Sequence, residues 1–216
     1  MRAVQKRTPG AGVVLSDIAA EAQPAAGEVA VRIHAAGICG SDLHAWAWDS
    51  GYDFMAPFLP LTLGHEFSGT VTATGTDVYG IAVGDAVVCW PTVTCGECPA
   101  CRKGRRAECT QRRVIGLHRD GGFAERVTMP AANALPLPAG LAMDVAALAE
   151  PLAVSVNAVN VAGVGAGDRV LVLGPGPIGM GIALVAQARG AQVLLAGFDD
   201  DARLALARRL GIARCA

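Results

Sequence analysis

His65 and Glu66 stand side by side between Gly64 and Gly69, an imidazole next to a carboxylate. Both ligand types suit a borderline-soft cation such as zinc. Cys39 precedes His65 by 26 residues, and Glu150 follows far downstream. A catalytic zinc needs about three protein ligands and one open position. Cys39, His65, Glu66 and Glu150 are therefore candidates for one such site. Its chemistry would be to polarise an oxygen and lower the pKa of a coordinated water or alcohol. Each residue also has a plain reading: a loop cysteine, a surface acid, a helix-exposed carboxylate.

A second cluster is denser. Cys95-Gly96-Glu97-Cys98-Pro99-Ala100-Cys101 is followed eight residues later by Cys109. Four thiolates at this spacing can surround one Zn²⁺ tetrahedrally, which fills every position and leaves no room for substrate. Arg102, Lys103, Arg105 and Arg106 offset the anionic sulfurs. Such a metal holds a loop together.

The third motif is Gly174-Pro175-Gly176-Pro177-Ile178-Gly179, a G-x-G-x-x-G match. It follows the apolar run Arg169 to Leu173 and opens a helix, the context a dinucleotide-binding turn requires. Gly174 permits the tight turn, Gly176 lets backbone approach a pyrophosphate, and Gly179 lets helix and strand pack closely. Pro177 and Ile178 begin the helix whose N-terminus faces the anion. The acid expected to hold the ribose at the end of the second strand is replaced by Phe198. Asp199, Asp200 and Asp201 follow it, and Arg203 lies just beyond. Three carboxylates repel a 2′-phosphate, which favours NAD over NADP; Asp199 and Arg203 are the candidate contacts there.

The elements that must position these residues fall into two parts, giving a mixed α/β fold class. Up to residue 150 the chain has the texture of short strands, in Glu28 to Ile33, Thr70 to Gly75, Asp85 to Cys89 and Gly121 to Thr128. Met143 to Val161 reads as one helix kinked at Pro151. Residues 151 to 216 then supply that linker helix and a strand–helix–strand–helix series, the start of a parallel sheet. With 216 residues, 52% hydrophobic and 17% charged, the chain can bury a large core. A net charge of −1 without a basic stripe excludes a nucleic-acid binder. The 19 uncharged residues between Arg169 and Arg189 are broken by Gly174-Pro175-Gly176-Pro177, which excludes a membrane span. Seven cysteines, four of them bunched, fit metal ligation in a cytoplasmic protein better than disulfides.

With its motifs in this order, the chain resembles the zinc-dependent medium-chain dehydrogenases/reductases of the alcohol, sorbitol and threonine dehydrogenase type. Cys39-Gly40-Ser41-Asp42-Leu43-His44, Gly64-His65-Glu66 and the four-cysteine lobe before the glycine turn carry the likeness. Glu150-Pro151-Leu152-Ala153 is similar to the sorbitol and threonine branch, and His44 followed by Trp48-Asp49 to threonine dehydrogenase. The resemblance implies a GroES-like, mainly-β catalytic domain over residues 1–150 and an incomplete Rossmann domain after it. It implies two zinc ions, one catalytic on Cys39, His65 and Glu66, with Glu150 as a nearby carboxylate. Ser41 and His44 would carry the proton of a small alcohol, polyol or threonine-like substrate to solvent, with NAD(P) as hydride acceptor. Family members are homo-oligomers through a region beyond Ala216. The chain stops after two Rossmann strands, so it is expected to be a fragment that binds structural zinc and turns over little. The alternative is a non-catalytic zinc-binding remnant with a scaffold role. His34 and His118 are expected to be structural histidines and Cys89 a buried strand residue. Trp46, Trp48, Tyr52 and Phe54 would line a pocket or pack on one another.

Overall fold

A computed structural model describes residues 1–19 and 23–216. The chain divides into two compact units, Met1–Leu148 and Ala149–Ala216.

The first unit is mainly antiparallel sheet. Its elements are β1 (Arg2–Lys6), β2 (Val14–Asp17), β3 (Glu28–Gly37), α1 (Gly40–Ala47), β4 (Leu61–Thr62) and β5 (Glu66–Thr74). They continue with β6 (Ala86–Cys89), β7 (Thr92–Val93), α2 (Pro99–Arg102), β8 (Arg113–Val114), β9 (Arg126–Pro130), β10 (Ala134–Pro136) and α3 (Met143–Ala146). One sheet has the order β2-β1-β4, the main sheet β10-β6-β5-β3-β9, and β7 pairs with β8.

Alternation in β3 explains its place at the centre. Val29 and Val31 are buried while Arg32 between β5 and β9 is exposed, the period-2 pattern of a strand with one face in the core. They pack with Phe67, Val71, Val87, Val127, Met129 and Ile115. A smaller cluster, Ala45, Met55, Leu61 and Leu63, fastens α1 to β4. The register of β3 against β5 ends with Gly37 opposite Glu66. Since β3 leads straight into Cys39 and β5 begins at Glu66, that single register brings both residues to one corner. The strand expected from residue 121 begins later, at Arg126. Gly121, Gly122 and Phe123 instead donate their backbone N–H groups to Thr62, Gly64 and Leu63, bracing the loop that carries His65.

Lys6 is fully buried. Its ammonium donates to the carbonyls of Gly10, Gly12 (3.0 Å) and Trp46 (3.1 Å), tying the loop after β1 to the last turn of α1. A cation suits that place, because the helix C-terminus presents unsatisfied carbonyls and a partial negative charge.

The second unit runs α4 (Ala149–Val161), β11 (Arg169–Leu173), α5 (Pro177–Ala188), β12 (Gln192–Ala196) and α6 (Asp201–Arg209). β11 and β12 pair in parallel from Arg169 opposite Gln192 to Leu173 opposite Ala196. Residues 214–216 run alongside β12, with Leu195 N–H to Arg214 O and Gly197 N–H to Ala216 O. Cys215 makes an isolated parallel bridge with Leu195, and the sheet itself has the two strands that the sequence indicated. Ala183, Ala186, Leu195, Ala207 and Ile212 form the core between helices and sheet.

The kinked helix expected over Met143 to Val161 is two helices, α3 and α4. Pro151 is the third residue of α4, where its absent N–H would have had no intrahelical partner. Proline therefore starts this helix without bending it. Among the described residues, no helix is long and apolar enough to cross a membrane.

Candidate metal centres and cofactor turn

Candidate ligand atoms of Cys39, His65 and Glu66 all lie within 4.8 Å of one another. Cys39 caps the N-terminus of α1, and its backbone N–H donates to Asp42 Oδ2 at 2.9 Å. The other Asp42 oxygen accepts from the Gly64 N–H at 3.3 Å and faces His65 Nδ1 at 3.7 Å. One carboxylate, only 3% exposed, therefore ties the Cys39 backbone to the His65 loop and faces the imidazole ring. Asp42 was not singled out by sequence. The signal was present: an acid at the third helical position after a capping residue is a capping-box pattern.

Gly64 has φ +92, and a Cβ there would meet the Phe123 ring at 2.4 Å. Only glycine fits both the backbone conformation and the space. With Nδ1 turned to Asp42, His65 presents Nε2 toward Ser41 Oγ, 3.4 Å away.

The electrostatics of this corner call for a cation. Burial raises the Glu66 pKa, and His65 and a hydrogen bond from Cys39 offset this in part. Burial likewise raises that of Asp42. The Cys39 thiol is drawn down, chiefly by its hydrogen bond with His65. Two buried acids and an acidified thiol share one imidazole, a set that a divalent cation would neutralise. Soft sulfur, imidazole nitrogen and carboxylate oxygen together are a zinc-type donor set.

The thiols of Cys95, Cys98, Cys101 and Cys109 also gather within 4.8 Å. Cys109 Sγ lies 3.6 Å from Cys95 Sγ, and Cys95 Sγ 3.9 Å from Cys101 Sγ, far beyond a disulfide bond. Backbone N–H groups point at the sulfurs, from Cys98 to Cys95 (3.3 Å) and from Cys101 to Cys98 (3.5 Å). The Cys101 N–H helps to draw the Cys98 thiol down to about 6. Burial and the neighbouring cysteines push Cys101 up to about 12. Four crowded thiols cannot all ionise unaided, and a dication at their centre removes the conflict.

His44 lies on α1, half exposed, with Nδ1 2.5 Å from Asp49 Oδ2. Tyr52 stands 5.7 Å from the His44 ring, and Phe54 stacks on His118 at 5.0 Å, so these two aromatics pack on histidines and on each other. Trp46 instead lines an apolar groove of about 650 Å³ with Val13, Leu15, Ile38, Leu43 and Phe123. His34 meets Thr70 Oγ1 at 3.0 Å, and His118 Nδ1 accepts from the Val114 N–H. Cys89 is buried in β6.

In the second unit, Gly174 has φ +94 and donates its N–H to Ala196 O, closing the turn onto β12. A Cβ at Gly179 would lie 1.9 Å from Gly174 O, while one at Gly176 would meet nothing within 4 Å. Gly176 caps α5 and Pro177 is its first residue, a position proline favours. Ile178, in the same turn, is partly exposed. Asp199 has φ +54, and Phe198 is 95% exposed. Arg203 is engaged by Asp200 at 2.8 Å, an ion pair across the first turn of α6. Glu150 lies in the first turn of α4, in the second unit.

Residues 25–139 match the alcohol dehydrogenase GroES-like domain. The chain is 42% identical over 189 residues to L-galactonate-5-dehydrogenase of Escherichia coli K12, covering 87% of this chain and 54% of that protein. It is 37% identical over 214 residues to L-threonine 3-dehydrogenase of Deinococcus radiodurans, covering 99% of this chain and 61% of that one. It therefore spans little more than half the length of these curated relatives. Galactitol-1-phosphate dehydrogenase from Escherichia coli superimposes with a TM-score of 0.87 at 34% identity, over 100% of this chain and 60% of the other. A Sinorhizobium meliloti 1021 protein described as a zinc-binding dehydrogenase and bound to NADP superimposes with a TM-score of 0.86 at 35% identity, over 100% and 61%. The resemblance carried by the three sequence motifs is borne out, and the chain belongs to the zinc-dependent medium-chain dehydrogenase/reductase family with its GroES-like domain.

Proposed function

We propose that this chain serves a zinc-dependent oxidoreductase moving hydride between NAD(P) and a secondary alcohol, a polyol or a threonine-like hydroxy compound. The observation that carries the proposal is the convergence of Cys39, His65 and Glu66 in one corner organised by Asp42. These three residues would hold the catalytic zinc, and Cys95, Cys98, Cys101 and Cys109 a structural one. Zinc held by the first set would supply polarisation of a hydroxyl oxygen, easing loss of its proton. Ser41, whose Oγ lies beside His65 Nε2, would accept a substrate proton, and half-exposed His44 would pass one to water.

Gly174, Gly176, Pro177, Ile178 and Gly179 would seat the dinucleotide pyrophosphate at the start of α5. Asp199, beside Asp200 and Asp201, supports NAD over NADP by repulsion of a 2′-phosphate. Arg203 near this edge is tied to Asp200 and adds no free cation. Thiolate zinc sites persist where cysteines stay reduced, which supports a cytoplasmic location.

The test is oxidation of a panel of polyols and L-threonine with NAD⁺ and NADP⁺, in wild type and Ser41→Ala. Expected are a preference for NAD⁺ and at least a 100-fold loss in the variant with both zinc ions retained. Equal rates in wild type and Ser41→Ala would overturn the proton-relay role of Ser41.

A further inference from the structure

Helix α1 is closed by Trp48 in the left-handed region, φ 58 and ψ 48. Glycine or asparagine normally fills such a place, and a bulky residue there is strained. Strain of this kind persists only where surrounding contacts over-determine it, and it concentrates at functional sites. Those contacts are present. The Trp48 Nε1–H donates to Asp53 Oδ1 at 3.1 Å, and Lys6 Nζ sits 5.2 Å from the centre of a Trp48 ring. The N–H groups of Trp48 and Asp49 both donate to His44 O, and Asp49 O accepts from the Tyr52 N–H at 3.1 Å.

The consequence is geometric. Had α1 continued, Asp49 would lie five residues beyond His44, about 140° around the helix and out of reach. The left-handed turn folds the chain back, so that Asp49 Oδ2 comes to 2.5 Å from His44 Nδ1. An ionised carboxylate can only accept, so Nδ1 must be the nitrogen that carries the proton. An unconstrained neutral imidazole favours the opposite tautomer, with the proton on Nε2.

We propose that Asp49 is a positioning residue for His44: it fixes the neutral ring with its proton on Nδ1, leaving the Nε2 lone pair to receive a proton. The same carboxylate then faces the imidazolium that proton uptake creates, as a carboxylate does behind other catalytic histidines. The role in catalysis rests on the reading of His44 as the outer end of a proton relay, whereas the tautomer does not depend on it.

The experiment is a ¹H–¹⁵N correlation of ring nitrogens in the histidine-labelled, zinc-loaded 216-residue chain, above the His44 titration, assigned with His44→Gln. In wild type Nδ1 carries the proton. Asp49→Ala shifts the ring to the Nε2–H form, and Asp49→Asn, whose amide oxygen still accepts, retains Nδ1–H. A wild-type ring protonated on Nε2, or no change in Asp49→Ala, would overturn the proposal. The wild-type spectrum decides even if a variant fails to fold. An Nδ1–H ring together with equal turnover in wild type and Ser41→Ala would discredit the relay reading and leave the positioning intact.

Discussion

Gly37 lies opposite Glu66 at the end of the β3–β5 ladder, and a Cβ there would stand 2.3 Å from Glu66 Oε2. The absent side chain is the space into which the Glu66 carboxylate turns toward Cys39 and His65. Gly37→Ala is expected to displace the carboxylate and lower zinc content by one ion per chain, with the four-cysteine ion retained. Metal analysis beside a thermal melt checks this, and an unchanged metal content with an unshifted melt would contradict it.

Asp42 receives N–H groups from Cys39 and Gly64 and faces His65 Nδ1. Asp42→Ala leaves both donors buried without that acceptor, at about 2–4 kcal/mol in stability. It also releases the imidazole, so zinc affinity at Cys39, His65 and Glu66 should fall about 10–100-fold. Chelator competition and urea unfolding measure the two effects separately.

Lys6→Met keeps most of the side-chain volume but removes the donor that joins the carbonyls of Gly10, Gly12 and Trp46. Hydrogen bonds from a charged group are worth about 1.5–3 kcal/mol each, and they are not additive. A loss of about 2–4 kcal/mol in urea unfolding is expected. A loss under about 0.5 kcal/mol would mean that the buried ammonium does not hold this loop.

Much of this was legible in the sequence because the chemistry-bearing residues are close in sequence or sit on short periodic elements. The four cysteines span residues 95–109 and need only a local loop to meet. The glycine turn is bounded by an apolar strand and a proline-started helix, each readable from its own period. Cys39 and Glu66 are different. Their meeting depends on strand register, including shifts between Ala30 and Val31 and between Ile33 and Ala35, which no local pattern encodes. Asp42, Gly37 and Asp49 went unassigned for the same reason: each acts through a partner fixed by tertiary geometry. The kink expected at Pro151 failed because the break between α3 and α4 comes earlier, at Ala147 and Leu148, and changes what the proline means.

Gly179 packs against the carbonyl of Gly174, with 1.9 Å to a built Cβ. Gly179→Ala must push α5 away from the turn, at about 1–3 kcal/mol. Loss of NAD⁺ binding in a fluorescence titration, with zinc content unchanged, is the expected result. Wild-type affinity in the variant would remove the glycine turn from the cofactor site.

Zinc stoichiometry tests the two-centre assignment most directly, measured by elemental analysis on wild type, Cys39→Ser and Cys95→Ser. Two ions per wild-type chain and one in each variant are expected, with the ion lost from a different site in each. A single wild-type ion that survives Cys39→Ser and disappears in Cys95→Ser would contradict a metal centre at Cys39, His65 and Glu66.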